Sequence, residues 1–203
     1  MKRAAVIAGA LMLALGVGCG APKTSVTEVW QAPSPVTPRM KTLLVFGVRV
    51  DEPNRRAIED TFVADLSRYG VKAAQSYVLF PGELPPIDRA RAMVNEQHYE
   101  GILVLKMRGV HEESRYVPGS YGGFWHGYYG GWGYYGTPGY VVTDKTVIFE
   151  ATLWDLRNDD KLVWTARTET LNPSSGSEFA TSLTRGVNPA LVRAGFLPPR
   201  PKD

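Results

Sequence analysis

Cysteine is almost absent from this chain: Cys19 is the only one among 203 residues. A single thiol excludes an internal disulfide and any zinc site built on paired cysteines. Histidine is nearly as scarce, with only His98, His111 and His126, which leaves little imidazole for acid-base or metal chemistry. No run of Lys and Arg occurs anywhere, and no hydrophobic run long enough to span a membrane follows the first twenty residues. The formal net charge is +3. Removing Lys2 and Arg3 from the 23 basic residues leaves 21 against 20 acidic ones, a balance that argues against a nucleic-acid partner. Catalytic signatures are missing too. There is no Gly-x-Ser-x-Gly elbow, no His-Glu-x-x-His and no phosphate loop with its Lys. Gly122-Gly123 and Gly130-Gly131 neither follow a buried strand nor open a helix, so they are not nucleotide fingerprints. The chain therefore reads as non-enzymatic, with no cofactor and no metal.

What is present begins with a charged start, Lys2 and Arg3, followed by an apolar stretch from Ala4 to Val17 and then Gly18-Cys19-Gly20. That order describes a secretory signal peptide over residues 1–18. The apolar run is shorter than the roughly 20 residues a spanning helix needs. Leu15-Gly16-Val17-Gly18-Cys19 resembles a lipobox, with Gly16 where that family usually has Leu. The resemblance implies acylation of Cys19 and cleavage before it, hence a lipid-anchored envelope protein. Gly20 is not Asp, which by the same resemblance implies the outer membrane, facing the periplasm. An ordinary secreted protein cut near Ala21 is the competing reading.

Residues 19–40 carry Pro22, Pro33, Pro35 and Pro38 among small and polar residues, the composition of an extended tether. Residues 41–199 then read as a single α/β (α+β) domain. Thr42 to Val50 is a β-prone run suited to a strand buried on both faces. Pro53 suits a first helical turn, and Ile58, Phe62, Leu66 and Tyr69 recur at helical spacing up to Gly70. Val71 to Leu79 reads as a second strand, Ile87 to Tyr99 as a second helix and Ile102 to Leu105 as a third strand continuing toward Tyr116. Thr146–Leu156 and Leu162–Leu171 alternate around Asn158-Asp159-Asp160 as an antiparallel hairpin. Ser175 and Glu178 form a capping box for a last helix with Phe179, Leu183, Val187 and Leu191, which Asn188-Pro189 breaks or restarts. A β-α-β-α-β start, a hairpin and a C-terminal helix predict a mixed sheet of about five strands, its first strands parallel.

The segment 118–140 is made almost wholly of glycine and aromatics. Tyr121, Phe124, Trp125, Tyr128, Tyr129, Trp132, Tyr134 and Tyr135 offer large contact area on a conformable backbone. This loop is the best candidate contact element, and an envelope protein, a glycan and the membrane interface are its open targets. A low-complexity insertion without function remains the plain alternative. Asp51 and Glu52 follow the first strand, where ligand groups often sit, but acids there also complement a helix N-terminus. His111-Glu112-Glu113 with His126 could offer imidazole and carboxylate, and reads better as a solvated strand end beside a polar loop residue. His98 fits the end of the second helix, where a cation is favoured.

Two stretches carry a wider resemblance: Lys41 to Val50 followed by Arg55-Arg56 and Glu59-Asp60, and Trp154-Asp155-Leu156 followed by Lys161-Leu162-Val163-Trp164. With the final helix and Pro198-Pro199 they resemble DUF4136-type lipoproteins. The α/β order is also similar to the periplasmic domains of TolB and CsgG. The resemblance covers roughly residues 41–199 and implies a small envelope lipoprotein that binds a partner or supports an envelope assembly. An envelope hydrolase and a self-associating structural protein stay open as alternatives.

Overall fold

A computed structural model describes residues 23–33, 39–117 and 140–201. Cys19 and the loop aromatics from Tyr121 to Tyr135, with His126, lie outside the described residues.

The described strands are β1 (Thr24–Gln31), β2 (Thr42–Val48), β3 (Lys72–Gln75), β4 (Gly101–Val117), β5 (Tyr140–Asp155) and β6 (Lys161–Leu171). They form one mixed sheet in the order β1-β6-β5-β4-β2-β3. β2 pairs in parallel with β3 and β4, as expected of a β-α-β-α-β start, and β4, β5, β6 and β1 follow antiparallel. The helices are α1 (Glu52–Ser67), α2 (Ser76–Leu79), α3 (Ile87–Glu96) and α4 (Gly176–Arg193).

The sheet is one strand wider than expected because Thr24–Gln31, inside the stretch whose prolines predicted a tether, pairs with β6. Its sequence is free of proline and rich in β-branched residues, and Thr24 is held by hydroxyl bonds to Thr170 at 2.7 Å and Ser182 at 2.9 Å. Only the flanking residues keep the composition of a linker. Val71–Leu79 also departs from expectation. After Gln75 the chain turns into α2, because Ser76 and the Tyr77 N–H bond to the Glu59 carboxylate and not to a strand neighbour. The last helix runs unbroken through Pro189, since its apolar stripe is buried on both sides of that residue.

Side-chain alternation sets two faces. On one, α1 and α4 bury Ile58, Phe62, Leu66, Leu183, Val187 and Leu191 against Leu103, Leu105, Phe149, Leu153 and Trp164. On the other, α2 and α3 cover only the β2–β4 region, where Leu44, Phe80 and Val94 form a smaller cluster. The rest of that second face carries a cross-strand charge ladder. Glu150 stands between Lys106 and Arg167 in register and pairs with Arg108 at 2.7 Å.

Candidate functional site

β4 and β5 run on past the rest of the sheet. β6 ends with Leu171 opposite Thr146, and β1 begins with Thr24 opposite Thr170. Beyond His111 and Thr146 the two long strands therefore continue, among the described strands, as a two-stranded ribbon. A register shift between Met107 and Gly109 marks its base, as bulges often do where a ribbon changes direction. Asn172 clamps it there. Its N–H donates to the Lys145 carbonyl at 2.7 Å, its Oδ1 accepts from the Lys145 N–H at 2.6 Å, and its Nδ2 donates to Asp144 at 2.8 Å. Asn172 does so at φ 45, a left-handed conformation that asparagine tolerates well. Farther out, Ser114 bonds Thr143 at 3.0 Å and Arg115 pairs with Asp144 at 3.5 Å.

The ribbon ends on the pairs Arg115–Val142, Tyr116–Val141 and Val117–Tyr140. Tyr116 is 66 % exposed, Tyr140 61 % and Val141 63 %. Large side chains this exposed at a strand end contribute little to folding and present contact area instead. Residues 118–139, the glycine-aromatic segment, connect these two strand ends in sequence.

At the ribbon's base, beyond the C-terminal end of β2, lies a cleft of about 520 Å³. Ile58, Phe149 and Phe179 form its apolar floor, with Arg49, Asp51 and Lys145 at its rim. The start of α1 and the start of α4 meet here, and both are already capped. Asp51 accepts from the Asn54 N–H at 3.0 Å and from Asn54 Nδ2 at 2.8 Å. Ser175 accepts from the Glu178 N–H at 3.2 Å, while the Glu178 carboxylate reaches back to the Ser174 N–H and hydroxyl. The Asn54 N–H bond, reinforced by the Asn54 side chain, holds the Asp51 carboxyl below its usual range. A lowered folded value means that this stabilisation is present above the unfolded pKa of about 3.9 and is lost as pH falls through the folded one. Asp51→Asn, an equally good cap, is expected to keep neutral-pH stability while flattening that acid loss in circular-dichroism titrations. An unchanged acid limb would show that Asp51 does not contribute to it.

A second depression of about 320 Å³ lies on the other sheet face, between α3 and β5. Phe46, Phe80, Val94, Ile102 and Leu156 line it, and Arg91 pairs with Asp160 across its mouth at 3.2 Å. It offers apolar contact and no group for chemistry inside.

The structure disperses the residues that the sequence nominated for chemistry. Asp51 is a cap. Glu52 pairs with Arg55 at 2.9 Å and Arg56 at 2.7 Å within α1, and Arg56 first, then Arg55, draws its carboxyl below the usual range. His98 follows α3 at φ 55, its carbonyl accepting from the Thr42 hydroxyl at 3.0 Å. His111 and Glu113 share one ribbon face and Glu112 projects on the other, as strand alternation requires. Among the described residues no group of three His, Cys, Asp or Glu could hold a metal ion.

Sequence reasoning passed over the buried carboxylate of Glu59 and the cleft cations Arg49 and Lys145. Glu59 had a usable signal, an acid on the inward stripe beside Ile58 and Phe62. Arg49 and Lys145 had none, because only the sheet register brings them to one cleft.

No family model matches the chain, and no curated protein does. Among solved structures, a PelC dodecamer from Paraburkholderia phytofirmans (a point variant, space group C2) is 17% identical, with a TM-score of 0.46 over 80% of this chain and 96% of that one. A PelC dodecamer from the same organism in space group P6 is 18% identical, with a TM-score of 0.43 over 77% and 91%. A PDZ domain protein from Parabacteroides distasonis is 11% identical, with a TM-score of 0.34 over 81% of this chain and 36% of that one.

Proposed function

We infer that this chain is a non-catalytic, lipid-anchored protein of the cell envelope, whose contact element sits at the end of the β4–β5 ribbon and in the segment joining its strands. The observation that carries this reading is the ribbon itself. A fold that needed β4 and β5 only for its core would end them near Val110 and Val147, yet both continue to Tyr116 and Tyr140, which stand exposed. Hydroxyl, amide and ion-pair bonds at Asn172, Ser114 and Arg115 stiffen this extension, and rigid presentation lowers the ordering cost of binding. Among the described residues the core is built from others than those of the ribbon end.

Replacing residues 118–139 with an Asn-Gly turn, which suits a two-residue hairpin, tests this. The variant is expected to melt with the intact protein and to lose most of the crosslinks that in-cell crosslinking and mass spectrometry find for the parent. An undiminished crosslink pattern would refute a protein-contact role for this segment. Crosslinks found only between copies of this chain would identify it as a self-associating protein.

A further inference from the structure

We propose that the end of the ribbon, Arg115 to Val117 with Tyr140 to Val142, seats on the lipid surface of the same membrane that holds Cys19. This rests on the reading of Cys19 as the anchor and names the surface that the ribbon end meets.

The sheet register carries the argument. Thr24 stands opposite Thr170, Thr170 opposite Val147, and Val147 opposite Val110. The chain thus enters the domain at the level from which the ribbon departs. Five residue steps separate Cys19 from Thr24, which span at most about 18 Å fully extended. From Val110 to Val117 the ribbon advances seven steps, or about 23 Å. Even with the tilt that sheet twist introduces, the ribbon reaches as far as the tether does. With the strands standing along the membrane normal, the tether is therefore too short to lift the ribbon end clear of the bilayer. The inverted orientation fails on length too, because the other end of β1, Gln31, lies a further seven steps from Thr24, about 23 Å.

The chemistry of the ribbon end matches the place this geometry assigns it. The last three pairs contain Tyr116, Tyr140, Val117, Val141, Val142 and Arg115, and no carboxylate. The acids Glu112, Glu113 and Asp144 all stand nearer the domain. Tyrosine favours the membrane–water boundary, where its ring and hydroxyl meet different media. Arginine can bury its stem there while keeping its charge among headgroups. The ordering from acidic to acid-free toward the tip follows the direction of decreasing water.

The test uses the full chain purified from membranes and reconstituted in phosphatidylethanolamine/phosphatidylglycerol vesicles. A nitroxide is placed at Val117→Cys, at Tyr140→Cys or at the control Lys161→Cys, at the opposite end of the sheet. Oxygen collides preferentially with a label in lipid, and a water-soluble nickel chelate with one in water. The ratio of the two is expected to rise at 117 and 140 on reconstitution and to keep its aqueous value at 161. The mass of the Cys19 peptide is read from the same sample. Acylated Cys19 with aqueous ratios at both 117 and 140 overturns the proposal and leaves the anchor standing. An unmodified Cys19 overturns both. Protection at 117 and 140 that appears only when an envelope protein fraction is added assigns the ribbon to a protein partner and also overturns the lipid seat.

Discussion

Replacing Glu59 with alanine is expected to destabilise the domain by about 3–5 kcal/mol, read as a fall in the denaturant midpoint at constant slope. Glu59 lies on α1 and is fully buried. Its Oε1 accepts from the Gly47 N–H at 2.8 Å and the Ser76 hydroxyl at 2.7 Å, and its Oε2 from the Tyr77 N–H at 3.3 Å. One side chain thus ties the end of β2 to the start of α2 across α1. Alanine would strand the buried Gly47 and Ser76 donors and take the acceptor from the part-buried Tyr77 N–H, and each buried orphan costs about 1–3 kcal/mol. Gly47 is part of the same arrangement. A Cβ there would lie 2.9 Å from Arg55 Cγ, so the absence of a side chain makes room for the Arg55 stem, while Glu59 Oε1 stands at an ordinary contact distance of 3.5 Å from that position. Glu59→Gln should lose less, because its amide oxygen still serves Gly47 and Ser76 while its amino group faces the Tyr77 N–H. A loss below about 1 kcal/mol for alanine would mean that water satisfies the three donors in place of Glu59.

Glu59 also shows where a sequence stops being legible. The apolar stripes of α1 and α4, the Asp51 cap, the capping box at Ser175 and the hairpin around Asp159 are local patterns with local causes, and they appear where periodicity and turn chemistry put them. β1 was readable in part, since Thr24–Gln31 is free of proline and rich in β-branched residues. Its order comes from β6, some 140 residues away, while the prolines on either side signal a linker. The β3–α2 corner was hidden for the same kind of reason. Val71–Leu79 has the composition of a strand, and Glu59 diverts it by offering Ser76 and Tyr77 a better acceptor. The ribbon was only half visible. His111-Glu112-Glu113 is polar on both faces, so no hydrophobic alternation announces pairing with Asp144 and Lys145. The common level of Thr24 and the ribbon base follows from three successive registers and from no local motif.

Cys19→Ala is expected to move the protein from a carbonate-resistant membrane fraction into the supernatant, nearly completely. Each buried acyl methylene contributes about 0.8 kcal/mol, so one chain binds reversibly and two or more on the same residue hold firmly. Among the described residues no helix is long and apolar enough to cross a membrane. The ribbon end cannot replace the lost chains, because Tyr116, Tyr140 and Val141 bring only a few side chains to the interface. Dilution and washing would release a contact of that size. The two elements therefore do different work: acylation would keep the protein at the membrane, and the ribbon would set which way the domain faces. Fractionation of Cys19→Ala separates the two terms, provided the mass of the protein shows removal of residues 1–18. A processed Cys19→Ala protein that still resists carbonate would overturn the anchor. A processed, soluble protein that keeps its melting temperature would show that the lipid holds the domain in place without helping it fold, as expected where the core of the described residues lies beyond Thr24.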